Sequence, residues 1–425
     1  MSKQVIYFLL LVVLSGCSSK PHVAQTAVKE KKITKINFFM ETSGSMAGYL
    51  QGSTDFRNRI PNLLVNIGGK IDSGKVPLYN YYIADSIVKF PGTTQDFINA
   101  ISIKQPAKEK SSEMHKIFKM IAAKTDSNDI SIFVSDCILS YPDDVLRKKG
   151  NENLNRDNAE GELKSTMTTA FIDLQHKNNM CASIFGFNSA FTGNYYTYQN
   201  NKIKLDGSVS RPYYIWVIGN RDLLIRFNQQ LNGLESFQPH TMEMDFGLFG
   251  DPIQHGDVLF GYDKEGEWSV DGTSGLKDAT ANAKKTAAFA MVVDLSSLPE
   301  YAKDTNYLRK HLQKNQSNLD FNIEKIELTK NINIVKLKNK EQDKVNKGTH
   351  VFVFRLNNIF QSGTAAINLP LEYDTTYKTL SIMDDRNVAD IGGKTFALKH
   401  LIDGVRAAYQ NNNQNFINIS IPIKK

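Results

Sequence analysis

Cysteine is scarce in this chain, 3 in 425 residues, which excludes a disulfide-built scaffold. A concentrated block of one charge sign is also missing. The net charge of +7 is spread along the chain, with short Lys clusters only at 29–32 and 335–347. A solvated surface accounts for these better than nucleic-acid binding does. The eight His residues show neither HxxH nor HExxH spacing, so the usual zinc patterns are absent. No Gly-x-Ser-x-Gly elbow stands between Glu41 and Gly48, and no Ser-His-Asp spacing is legible. Gly393-Lys394-Thr395 resembles the end of a phosphate loop, but Val388 sits where its first Gly is required. Asp384-Asp385-Arg386-Asn387 has the composition of a calcium loop without its spacing, and reads as a polar turn. There are no repeats.

Long hydrophobic runs are absent too. Val5 to Leu14 is an apolar run of about ten residues behind Lys3, too short to span a bilayer as a helix. It leads into Leu14-Ser15-Gly16-Cys17, which resembles the lipobox of bacterial lipoproteins. That resemblance implies a signal peptide over 1–16 and lipidation of Cys17, a multi-chain anchor in the cell envelope. Ser18, rather than Asp, follows the Cys and points to the outer membrane over the inner. Residues 17–32 are polar and read as a flexible tether spanning on the order of 20 Å.

Beyond the tether, Ile33 to Met40 reads as a buried strand that ends in Glu41-Thr42-Ser43-Gly44-Ser45. Helical and strand spacings then alternate: helix 56–71, strands 78–84 and 86–90, helices 94–101 and 113–123, and strand 129–134, which ends in Ser135-Asp136. Helix 163–176, strands 182–187 and 213–218 and helix 221–231 follow. This order, with the acidic-x-Ser-x-Ser turn, resembles the von Willebrand factor A (vWA) domain over roughly residues 33–233. The resemblance implies an α/β, doubly wound, Rossmann-like sheet with a metal-binding turn at the carboxyl ends of its strands.

Carried over residue by residue, the family's metal site falls on Glu41, Ser43, Ser45, Ser112 (with Ser111 the alternative) and Asp136. Glu replaces the family's Asp, Ser its Thr, and Cys137 its Gly. Hard oxygen donors of this kind suit Mg²⁺ or Mn²⁺. The other reading is an inherited turn whose hydroxyls only hydrogen-bond one another.

Residues 234–425 read as a β-rich, sandwich-like domain, with strands near 258–262, 287–295, 321–328, 332–337, 350–356, 364–371 and 416–423 and one helix over 394–409. The charged segment 141–162 should border the turn, and between strands a hairpin runs over 194–205 with Asn200-Asn201 at its tip. Its Tyr195, Tyr196 and Tyr198 read either as packing or as a binding edge. Cys137 and Cys181 fall at opposite ends of strands, too far apart for a disulfide, and are expected to be free thiols. Two functional classes follow. One is a lipid-anchored envelope protein that binds an unknown envelope partner through the vWA-like turn, without nucleic acid. The alternative is an extracytoplasmic hydrolase that uses a serine or a metal-bound water.

Overall fold

In β1 (Lys35–Glu41), Phe38 and Met40 enter one core and Phe39 enters another, and all three are fully buried. A strand covered on both faces carries a continuous apolar run for this reason. β4 (Asp129–Ser135) repeats the pattern, with Ile132 and Val134 on one side and Phe133 on the other. The computed structural model describes residues 31–103, 113–141, 143–146, 148–315, 318–357, 359, 361–410 and 414–425. Cys17, most of the tether, Ser111 and Ser112 lie outside the described residues.

The first sheet has seven strands. β2 (Leu78–Ile83), β3 (Ile87–Lys89), β5 (Met180–Tyr196), β6 (Lys202–Asn220) and β7 (Met242–Phe246) complete the order β3-β2-β1-β4-β6-β5-β7. β1 runs parallel to β2 and β4, whereas β3, β6 and β7 run antiparallel to their neighbours. On one face lie α1 (Asp55–Lys70), α2 (Thr94–Ile103) and a helix over Arg221–Asn232. Opposite them lie α3 (Met114–Lys124) and a helix over Lys164–Asn178. The molecule is therefore an α/β fold with a mixed sheet flanked by helices. Residues 32–425 form one compact unit.

The two strands expected around 182–187 and 213–218 belong to one long antiparallel hairpin, with no helix between them. Its outer half, from Ala190 to the tip, rises beyond the sheet as an arm. Asn200 takes the left-handed conformation at the tip (φ 57°).

The β-rich remainder contains β8 (Asp257–Leu259), β9 (Glu267–Asp271), β10 (Gly275–Thr280), β11 (Thr286–Val293), β12 (Gln313–Lys314), β13 (Asp320–Leu328), β14 (His350–Asn357), β15 (Gly363–Pro370), β16 (Ser381–Ile382), β17 (Thr395–Phe396) and β18 (Asn415–Ile423). A five-stranded sheet, β12-β15-β18-β10-β9, and a four-stranded sheet, β13-β14-β11-β8, share one core around Phe289, Phe354, Ile367 and Ile419. The segment 332–337 forms a single 3-10 turn instead of a strand.

Several elements after residue 233 pack with the first sheet, among them β7 and a helix. β7 pairs with β5. The helix expected to pack on the sandwich, Leu398–Tyr409, instead lies along Lys164–Asn178, with Leu401, Ile402 and Val405 in the first sheet's core. The approach is close at Gly404, where a Cβ would stand 2.5 Å from the Lys164 carbonyl oxygen. Its apolar stripe was legible in the sequence, but a stripe does not say which surface it covers.

Candidate functional site

β1 and β4 end side by side. The connection from β1 leads to β2 on one side, and the chain returns to β4 on the other, so their carboxyl ends form a topological switch point. Glu41, the last residue of β1, is fully buried and accepts a hydrogen bond from the hydroxyl of Ser135, the last residue of β4. The same hydroxyl accepts from the Cys137 amide at 2.7 Å. The chain then turns through Cys137 in the left-handed region, φ 57°, where glycine carries no penalty. Cys137 Sγ accepts from the Trp216 indole at 3.3 Å, and burial pushes its thiol pKa far up.

Past Glu41 the chain folds into a 3-10 turn over Met46–Leu50, with the Met46 and Gly48 amides bonded to the Ser43 and Ser45 carbonyls. The hydroxyls of Ser43 and Ser45 face each other at 3.2 Å. Asp136 accepts from the Ile138 amide at 3.3 Å. Desolvation pushes its carboxyl above the ordinary carboxylate range, opposed by the Ser45 hydroxyl, the Ile138 amide and the charge of Arg211. The structure thus brings Glu41, Ser43, Ser45 and Asp136 to one end of the sheet. Ser112, like Cys17, lies outside the described residues.

The site is covered. Relative exposures are 0% for Glu41, 7% for Ser43, 8% for Ser45 and 1% for Asp136. The cover is the hairpin arm. Phe191 packs so tightly on Gly48 that a Cβ there would meet its ring at 2.2 Å, and Tyr196 stands 3.3 Å from the same point on Gly44. Tyr49 donates to the Pro212 carbonyl at 2.5 Å. The segment after Asp136, expected as a charged insertion, supports the arm's tip. Asn155 donates to the Tyr198 carbonyl at 2.6 Å and accepts from the Tyr141 amide at 3.0 Å. Tyr195 and Tyr198 are each 1% exposed, so packing accounts for both.

Arg211, which the sequence did not single out, joins Tyr195 and Asp385 in this cluster. Arg211 is fully buried, with its guanidinium carbon 4.4 Å from the centre of the Tyr195 ring and one nitrogen donating to the Ile391 carbonyl. Tyr195 donates to Asp385 at 2.5 Å, and the Tyr198 amide donates to the other Asp385 oxygen at 2.9 Å. Asp385, set down as part of a polar turn, is fully buried. Asp136 Oδ2 and two Arg211 nitrogens, Nε and Nη2, are buried without a hydrogen-bond partner among the described residues. The only sequence signal for Arg211 was a charge at the head of the apolar run 213–218, which is common at strand ends.

One Glu41 oxygen is taken by Ser135, and Arg211 already brings positive charge to Asp136. Among the described residues, no three or more His, Cys, Asp or Glu side chains are placed to hold a metal ion. No described helix is long and apolar enough to cross a membrane. No protein-family model matches the chain, and neither a curated protein nor a solved structure matches it.

Proposed function

We propose that this chain is a lipid-anchored cell-envelope protein that binds or assembles with an envelope partner through a vWA-like turn. One observation carries the reading: Glu41, Ser43, Ser45 and Asp136 converge at the carboxyl ends of β1 and β4, where open α/β sheets bind ligands. In this reading the turn works without a metal, because Arg211 supplies the positive charge. The arm makes access conditional, since a partner reaches the turn only once Phe191 and Tyr196 leave Gly48 and Gly44. With the arm in place the Ser43 and Ser45 hydroxyls are buried and bonded to each other.

Co-purification from envelope extract tests this, using the full chain and its Ser43→Ala/Ser45→Ala variant. A defined partner held by the parent and lost by the variant is the expected result. Equal recovery would remove the turn from the binding surface. Esterase or phosphatase activity in the parent, lost in the same variant, would establish the hydrolase instead.

A further inference from the structure

A second site lies away from the turn. A cavity of about 260 Å³ opens between the helix Arg221–Asn232, β7 and the segment 296–303. Its apolar lining includes Phe249 and Leu298, and its polar lining includes Asn228, Glu243, Asp245 and Lys303. Asn228 and Asp245 are 7% and 8% exposed.

Ser183 fixes the polarity of this wall. It donates to Asp245 Oδ1 at 2.5 Å and accepts from Asn228 Nδ2 at 2.7 Å. With that proton committed to Asp245, the Asn228 amide must turn its nitrogen to Ser183 and its oxygen away. Asn228 Oδ1 is then buried with no partner among the described residues, whereas Asp245 Oδ2, which makes no hydrogen bond to them, faces the cavity. Glu243 is already held, by His240 at 3.0 Å and by Asn232 at 3.2 Å. This wall therefore turns two acceptors, one of them on a carboxylate, towards the cavity without a donor from the side chains packed behind them. A buried acceptor without a donor is costly. The complementary group donates only, and an ammonium has three donors and no acceptor.

We infer that this cavity binds a small primary amine in its cationic form, with the ammonium on Asp245 and Asn228 and a short apolar body against Phe249 and Leu298. The site is independent of the vWA-like turn. Lys303, which also lines the cavity, opposes a cation, and this gives the proposal a second handle.

The probe is butylammonium chloride, titrated calorimetrically into the full chain at pH 8. That pH lies above the value of about 7 to which burial, then Glu243, pushes Asp245. Saturable binding is expected, weakened about tenfold or more by Asp245→Asn through loss of a charge-assisted hydrogen bond. Lys303→Met should tighten it, and butyrate should not bind. Asp245→Asn removes a buried charge and keeps the shape, so its folding can be verified by its melt. No saturable binding to the parent overturns the inference. So does equal binding by Asp245→Asn, or a preference for butyrate that Lys303→Met abolishes.

Discussion

The guanidinium of Arg211 lies over the ring of Tyr195, 4.4 Å from its centre, in a pocket that reaches both Asp136 and Asp385. A cation–π contact sealed from water is worth about 2 kcal/mol, and here it also fixes where the charge sits. The arm is anchored to the switch point by this charge, since Tyr195 belongs to β5 and Asp136 follows β4.

Removing Arg211 should withdraw one of the groups that oppose desolvation at Asp136 and Asp385, behind their hydrogen bonds. Desolvation already pushes both upward. Arg211→Met, which also loses the bond to the Ile391 carbonyl and the contact with the Tyr195 ring, should therefore cost about 1–3 kcal/mol in urea unfolding. The triple variant with Asp136→Asn and Asp385→Asn should regain part of it. A loss below about 1 kcal/mol for Arg211→Met would mean that the guanidinium does not compensate these acids.

Millimolar Mg²⁺ should leave the parent's melting temperature unchanged, because the charge is internal. A resident ion at about ten times its dissociation constant would add about 1.4 kcal/mol. A shift of that size, abolished by Asp136→Ala, would show that the turn takes a metal after all.

Stability should depend on Asp245. Its folded pKa, about 7, stands above the ordinary 3.8. The folded state therefore holds a proton that the unfolded state has released between those values, and stability falls as pH rises from about 4 to 7, then levels. Asp245→Asn lacks this penalty. It should match the parent near pH 4 and exceed it above pH 7 by an amount on the order of a few kcal/mol in urea unfolding. Parallel curves for parent and variant from pH 4 to 8 would refute the shift.

Much of the first sheet was readable because its signals are local. Ile33 to Met40 carries the continuous apolar run of a strand buried on both faces, and Leu63, Leu64 and Ile67 mark one face of α1. The acidic-x-Ser-x-Ser turn and Asp136 were found because each ends such a strand. What was missed depends on distant pairing. The Asn200-Asn201 turn marked the hairpin over 194–205, but nothing local showed that its pairing continues down to Met180 and Asn220, since pairing is set by partners rather than by period. Arg211 and Asp385 are 174 residues apart in sequence, and their burial together follows from tertiary packing around Tyr195. The alternating run of β18 was legible, while the place of Leu398–Tyr409 was not, because an amphipathic helix fits either core.

Cysteine chemistry should be silent in the folded state. Cys137 and Cys181 are free and buried, and burial raises both thiols, Cys181 to about 12. Neither should react with an iodoacetamide reagent at pH 8 until the protein unfolds, because the thiolate is the nucleophile. After unfolding, the mature protein should yield two thiols if Cys17 is acylated. A third reactive thiol, or no change in membrane attachment on Cys17→Ser, would exclude the anchor.

The arm offers the most direct handle on function. Gly48 has no room for a methyl group, since its Cβ would stand 2.2 Å from the Phe191 ring. Gly48→Ala should therefore push the arm outward and cost about 1–3 kcal/mol through overpacking. Phe191→Leu supplies space at the same point, so the double variant should recover part of that loss, a coupling that a thermodynamic cycle measures. Partner binding separates two roles for the arm. If it is a cover, Gly48→Ala should bind the envelope partner more tightly than the parent, and the double variant should fall between them. If the arm itself is the surface that the partner reads, Gly48→Ala should bind less, in proportion to its displacement. Unchanged binding in every variant would place the partner's contact elsewhere on the molecule.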